Sequence, residues 1–272
     1  MTILQSIILG IIQGATEFLP ISSSGHLVLT PHLLGWNIQD QDAFVFDVLV
    51  QVATLVAVVA YFWDDLYKIT LAFVRGLWQK QPFSNRDARM GWLLGLATVP
   101  AGAAYLLFSD TFERAFGSPL ATALFLFGTA TLLLVAERIG KRDRDYESIN
   151  WIDAIVIGIF QILAIFPGIS RSGATITGGM TRNLDRPSAA RFSFLISVPV
   201  MLAAGLVGVI KLIDLPNTAS RIPIFLPGFI AAAIVGYISI RWLLRFLNHR
   251  PLYVFTIYCA VFGMINLVII LI

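Results

Sequence analysis

Apolar residues run along this chain in long blocks, not in the short rhythm of a soluble helix or strand. Six blocks, roughly 44–63, 91–108, 118–136, 192–210, 224–243 and 252–272, are nearly free of charge. Each is close to the ~20 residues that a helix needs to cross the hydrocarbon core. Two further apolar regions, 2–34 and 152–181, behave differently. Each is cut near its middle by Pro, Gly and Ser, in "FLPISSSGH" (18–26) and "FPGISRSGA" (166–174). The arms on either side are too short to span reliably, and Pro20 and Pro167 remove a helix hydrogen bond. A broken segment survives at membrane depth only where it is buried in protein or lines a wet cavity. The pattern therefore predicts an all-α polytopic membrane protein with six transmembrane helices and two re-entrant helix–loop–helix hairpins. The plainer alternative for each cut region is a kinked helix packed through small residues.

The two cut regions resemble each other. Sliding the chain by 148 residues places Gly10, Ile11, Gln13, Phe18, Ile21, Ser22, Ser24 and Gly25 on Gly158, Ile159, Gln161, Phe166, Ile169, Ser170, Ser172 and Gly173. Phe44, Phe46 and Val50 then fall on Phe192, Phe194 and Val198. One integral membrane domain, 1–272, is expected to hold two copies of a unit, about 1–148 and 149–272. Each copy is a hairpin followed by three spans. An odd number of spans delivers the second copy to the opposite side, so the repeat is inverted. In such repeats the broken segments meet near the midplane and build the binding site there.

Composition agrees: the chain is 57% hydrophobic and 13% charged, where a soluble domain carries about 25% charged residues. No cleavable signal peptide is expected, because a basic start and a small-residue cleavage site are missing. Cys259 stands alone, so no internal disulfide forms. The net charge of +3 does not point to nucleic acid, because topology explains it. With the N-terminus outside, fifteen basic residues fall in cytoplasmic loops, among them Lys68, Arg75, Lys80, Arg86, Arg142, Arg144, Arg182 and Arg191. Three, Arg114, Lys211 and Arg221, fall outside. That asymmetry places both termini outward. Trp63, Trp92 and Trp242 read as interface anchors.

Arg171 is left inside the membrane, where a charge costs roughly 2.5–3.5 kcal/mol on the insertion scale. Glu17 is its natural partner, at the equivalent depth of the first hairpin. A structural ion pair would account for those two alone. Ser170, Ser172, Gly173 and Thr175 around Arg171 add hydroxyls and N–H groups at a helix start, which is an anion site, and Arg supplies a fork that matches phosphate. In the first hairpin, Gln13 and Glu17 share a helix face. Glu17 is a candidate metal ligand or an orienter of a base. Ser22, Ser23, Ser24 and His26 follow. Ser23 and His26 stand i,i+3, the outline of an activated nucleophile with its base, and His26 could equally protonate a leaving group. His32 and His249 lack such company and read as structural or interfacial.

"GIIQGATEFLPISSSGH" and "FPGISRSGATITGG" resemble the two signature motifs of the bacterial undecaprenyl-diphosphate phosphatase family, BacA or UppP. The first matches at Gln13, Glu17, Ser22, Ser23 and His26. The second matches at Pro167, Gly168, Ser170, Arg171, Ser172 and Thr175. The likeness covers the whole chain in length and span pattern. It implies hydrolysis of undecaprenyl diphosphate to the monophosphate and phosphate, in recycling of the lipid carrier for cell-wall synthesis, with bacitracin resistance. It implies a bacterial plasma-membrane protein whose site opens outward, and a divalent metal, Mg2+ or Ca2+, with Glu17 the candidate ligand. Gln at 13 leaves one carboxylate there, not two. The partners expected are the polyprenyl diphosphate lipid and the membrane, without nucleic acid, and a homodimer is compatible with the pattern.

Three rivals remain at this point. An inverted-repeat transporter or flippase of the lipid carrier shares the architecture but needs no Ser23–His26 pair. An intramembrane serine protease needs no Arg171 cradle. The other large class of membrane lipid phosphatases shares a Ser-Gly-His element, here 24–26, but its later His and Asp are missing. Whether Ser23 or metal-activated water attacks is open in the sequence. The expected site is Glu17, Ser23, His26 and Arg171, with Gln13, Ser22, Ser24, Ser170, Ser172, Gly173 and Thr175 around the substrate.

Overall fold

The computed structural model describes residues 1–83, 85–116, 118–213 and 218–272, and omits the side chains of 109–116, 211–213 and 218–220. The side chains of the expected outer-loop charges Arg114 and Lys211 are among those omitted. Among the described residues, six helices are long and apolar enough to cross a membrane. They are α3 (Asp40–Tyr61), α5 (Arg86–Phe116), α6 (Pro119–Ile139), α9 (Arg186–Ile213), α10 (Thr218–Leu247) and α11 (Tyr253–Leu271). Each expected block falls on one of them, with ends that differ by up to eight residues. The structure extends α3 and α9 at their starts, because Asp40, Asp42 and Arg186 join the first turns.

Both cut regions are broken helices. The first is α1 (Ile3–Phe18) followed by α2 (Ser23–Leu33), and the second is α7 (Trp151–Leu163) followed by α8 (Arg171–Thr181). A single kinked helix is not what the chain adopts at either place. The incoming arm α1 ends just before Pro20, as expected, whereas α7 stops four residues ahead of Pro167. One helix has no counterpart among the expected elements, which place Lys68, Arg75 and Lys80 in a loop: α4 (Trp63–Trp78) follows α3 after the single residue Phe62.

The two halves interlock. The first broken helix packs along α10 of the second half, and α7 of the second packs along α5 of the first. Between them, α3 lies against both α10 and α9. The α1–α10 crossing is a backbone contact: a methyl group on Gly10 would overlap the carbonyl of Gly228, and one on Gly228 would overlap Ser6. Small residues permit such crossings, where packing substitutes for a hydrophobic drive that lipid does not supply. Gly158 makes the same close approach on α7, toward Ala97 and Pro100 of α5. Aromatic residues fill the space around the breaks. Phe18 is fully buried and meets the edge of Phe194 at 5.5 Å.

Ion pairs gather at the ends of the bundle. At one end Asp153, fully buried, binds Arg144 at 2.6 and 3.0 Å and Arg182 at 2.9 Å. Glu137 binds Arg186, Arg142 and the N–H of Leu252, and Asp65 binds Arg191. Hydrogen bonding to Asp153 raises the Arg144 guanidinium above its ordinary pKa, so this loop cation stays charged. At the other end Asp42 binds the amino group of Met1 at 2.8 Å and Arg221 at 3.2 Å.

Candidate active site

Each break presents a serine N-cap followed by the functional side chain at the first helical position. Ser22 Oγ accepts from Gly25 N–H at 3.2 Å, and Ser170 Oγ accepts from Gly173 N–H at 3.1 Å. Serine does this because it satisfies donors that a helix start leaves free. Ser22 and Ser24 then sit 3.3 Å apart, and Ser170 and Ser172 3.1 Å apart, hydroxyl to hydroxyl. Ser23 and Arg171 hold the same position in their respective helices.

These two first residues meet on Glu17, at the end of α1. Ser23 Oγ donates to Glu17 Oε2 at 2.5 Å, and Arg171 Nη2 donates to Oε1 at 2.8 Å. Gln13 Nε2 donates to Oε2 at 3.0 Å. One carboxylate thus joins both breaks and carries the expected i,i+4 partner. The other nitrogen of the fork, Arg171 Nη1, is buried with no hydrogen-bond partner among the described residues. A buried donor left unmade costs about 1–3 kcal/mol, more for a charged group.

The expected Ser23–His26 pair is not formed. His26 is nearly fully buried. Its Nδ1 lies 2.7 Å from the carbonyl of Ser22, and its Nε2 lies 2.7 Å from the hydroxyl of Tyr258 on α11. A carbonyl only accepts, so Nδ1 carries the hydrogen and Nε2 accepts from Tyr258. The ring stacks on Phe262 at 4.5 Å. His26 therefore braces the start of α2 instead of touching the Ser23 hydroxyl. Ser22 itself is held at φ +71°, where non-glycine residues are uncommon. The 2.7 Å bond from His26 to its carbonyl and the 3.2 Å bond from Gly25 N–H to its side chain support that conformation.

The cradle around Arg171 is braced in turn by α6. Thr129 Oγ1 donates to the carbonyl of Gly168 at 2.8 Å and accepts from the N–H of Ser170 at 2.9 Å. Gly168 has φ +99°, and a methyl group there would overlap the Thr122 carbonyl. Ser172 Oγ donates to the carbonyl of Leu19, tying the second break to the first. Thr175 donates to the carbonyl of Arg171 and pairs with Ser193 at 2.6 Å. The Gly173 N–H, expected to be an open anion donor, is taken by Ser170. Tyr258 and Thr129 were missed in the sequence reading. Both act across the fold from the last span of each half, and no local spacing marks them.

The donor set bears on a metal. Glu17 is the one carboxylate bound to these groups, and no cluster of three or more His, Cys, Asp or Glu side chains suited to a metal occurs among the described residues. One carboxylate fits Mg2+ held jointly with substrate phosphates, not a cage built by the protein. Beside the site, a cavity of about 1060 Å³ opens between α2, α3, α5 and α9. Its wall includes Leu27 and Val28, next to His26, and Val200, next to the Met201 sulfur that approaches Arg171 Nη2 at 4.0 Å. Most of the lining is apolar, with Asp47 and Gln51 among the exceptions.

Comparison with known proteins adds the family. A family model described as "Bacitracin resistance protein BacA" matches residues 6–265. The chain is 42% identical over 258 residues to an undecaprenyl-diphosphatase of Moorella thermoacetica, covering 95% of this chain and 94% of that one. It is 40% identical over 271 residues to an undecaprenyl-diphosphatase of Chloroherpeton thalassium, covering 97% and 95%. A third, from Thermomicrobium roseum, is 38% identical over 277 residues, covering 99% of each. Similarity that runs almost end to end and takes in both breaks leaves one assignment: the chain belongs to the bacitracin resistance protein BacA family.

Proposed function

We propose that this protein hydrolyses undecaprenyl diphosphate to undecaprenyl phosphate and inorganic phosphate, and so recycles the lipid carrier of cell-wall synthesis. The relatives named above carry that activity in their names. The observation that carries the reading is the meeting of Ser23, Glu17 and Arg171, with one arm of the arginine fork buried and unpaired. A phosphoryl oxygen satisfies that arm, and a guanidinium matches phosphate geometry. The neighbouring apolar cavity suits the first isoprene units of the lipid.

In this mechanism Ser23 Oγ attacks the terminal phosphorus. Its proton passes to Glu17, 2.5 Å away. The P–O bond to the prenyl phosphate breaks, and Glu17 returns the proton to the departing oxygen. Water then attacks the phosphoserine with Glu17 again as base, and Ser23 regains its hydrogen as phosphate leaves. Arg171 neutralises charge on the phosphoryl oxygens throughout. His26 and Tyr258 are positioning residues that fix the turn from which Ser23 projects. The remaining hydroxyls, Ser22, Ser24, Ser170, Ser172 and Thr175, shape the cradle. Mg2+ or Ca2+, held by Glu17 with the diphosphate, would supply further charge neutralisation.

The finer architecture belongs to the same proposal. The breaks are re-entrant hairpins and the halves an inverted repeat within one membrane domain. The reciprocal packing of α1 on α10 and α7 on α5 supports this, as does Arg144, which ties the start of α7 to the end of α8 by binding Asp153 and the carbonyl of Arg182. The excess of basic residues in the loops at that end makes it cytoplasmic, so both termini and the site face outward. A homodimer and indifference to nucleic acid complete the reading.

The test is phosphate release from a long-chain prenyl diphosphate by the purified protein in detergent. Arg171→Lys should lose about 10²–10³-fold, because an ammonium cannot reproduce the fork. Near-normal turnover by that folded variant would overturn the clamp.

A further inference from the structure

Helix α4 turns three faces to three surroundings. Ile69 and Gly76 are buried, and Phe73 packs on Gly91 and Trp92 of α5. A second face carries Trp63, Tyr67, Val74, Leu77 and Trp78, which are 61, 60, 52, 48 and 88% exposed. Positions 63, 67, 74 and 78 fall on one line of a helix. A third face carries Lys68 and Arg75, both exposed, with Gln79 and Lys80 just beyond the helix end. Lys68, Arg75 and Lys80 make no ion pair among the described residues. Asp64 stands one turn before Lys68, and Lys68 also borders a small polar cavity with Asp65, Asp87 and Glu147, of which Asp65 is bound by Arg191 and Glu147 by Arg86.

We infer that α4 is an in-plane membrane anchor: its aromatic stripe lies at the headgroup–acyl boundary, and its basic edge binds anionic lipid headgroups. Three observations support this occupant over a second copy of the chain. The helix starts one residue after span α3 ends, so its first turn lies at the membrane surface. Trp and Tyr fill the apolar stripe, and these side chains favour that boundary. The basic edge complements anionic lipid, and an amphipathic helix with cations beside its apolar face has the form of a surface-lying element. Connectivity does not explain α4. In the second half α9 runs to Ile213 and α10 begins at Thr218, which leaves no room for a further helix of this length.

The test uses the full chain with Cys259→Ser, reconstituted in nanodiscs of phosphatidylcholine and phosphatidylglycerol. Nitroxide labels are placed singly at Val74→Cys, Trp78→Cys, Lys68→Cys and Arg75→Cys. Labels at 74 and 78 should be relaxed by oxygen more than by a water-soluble nickel complex, with the order reversed at 68 and 75. Equal nickel access at all four would overturn the anchor. So would labels at 74 and 78 that are shielded from both reagents and broadened by coupling between two copies, since that places a second chain on the stripe. In a second arm, the variant Lys68→Gln/Arg75→Gln/Lys80→Gln should reduce the preference for motionally restricted, spin-labelled phosphatidylglycerol over phosphatidylcholine by at least about two-fold. An unchanged preference would remove the headgroup contact from the proposal.

Discussion

Ser23 owes its place in the proposed chemistry to being the first residue of a helix. Side chains lean toward the N-terminus of the helix that carries them. The Ser23 hydroxyl therefore points back across the break to Glu17, not forward to His26 one turn ahead. If Glu17 is the base, Glu17→Gln should lower phosphate release about 10²–10⁴-fold. Ser23→Ala should do at least as much, and the double variant should fall no further, because the two act as one unit. Single and double variants measured at saturating metal decide this. Ser23→Ala within a few-fold of the parent would favour metal-bound hydroxide. Tyr258→Phe removes the hydrogen bond to His26 Nε2 and should lower kcat by about ten-fold with KM little changed. A change confined to KM would assign Tyr258 to substrate binding instead. The Glu17–Arg171 pair was legible in sequence because each is a charge in an apolar stretch with no other partner. The Tyr258–His26 bond was not, because a tyrosine in a span looks the same whether it faces lipid or a buried imidazole.

At the scale of elements, the six spans were legible because length and apolarity alone decide what crosses a bilayer. The breaks were legible because proline, glycine and serine cannot hide in such a stretch. Helix α4 was legible too but was missed: its apolar and charged residues separate strongly by face, yet Lys68 and Arg75 were read as loop charges of the topology. The contacts between elements explain two sensitivities. Asp153 is fully buried beneath Arg144 and Arg182. Breaking a buried pair costs about 3–5 kcal/mol, and less here because both arginines reach solvent. Asp153→Asn should destabilise the detergent-solubilised protein by about 2 kcal/mol, measured by thermal unfolding, and Asn at this position keeps the length of the side chain. Gly10→Val is the second sensitivity. It would drive a branched side chain into Gly228 and should cost at least about 1–3 kcal/mol by overpacking, read as a lower melting temperature with α10 displaced.

For the whole molecule, orientation is the property to measure. With Cys259 replaced, a single cysteine at Lys141 should resist an impermeant reagent in intact cells, and one at Arg114 should react. The opposite result would turn the molecule over and put the site on the cytoplasmic face. The interlocked halves also bear on how the molecule is made. Glu17 meets Arg171 across 154 residues of chain, and α1 lies against α10, made later still. At about 5–20 residues per second, that arginine emerges from the ribosome roughly 8–30 seconds after the glutamate. During that interval a carboxylate waits in or beside the bilayer without its counter-ion. The nascent first half is thus an incomplete object, to be sheltered by the insertion machinery until its complement arrives. Fragments ending before Arg171 should be cleared by membrane proteases, not accumulate as a stable half.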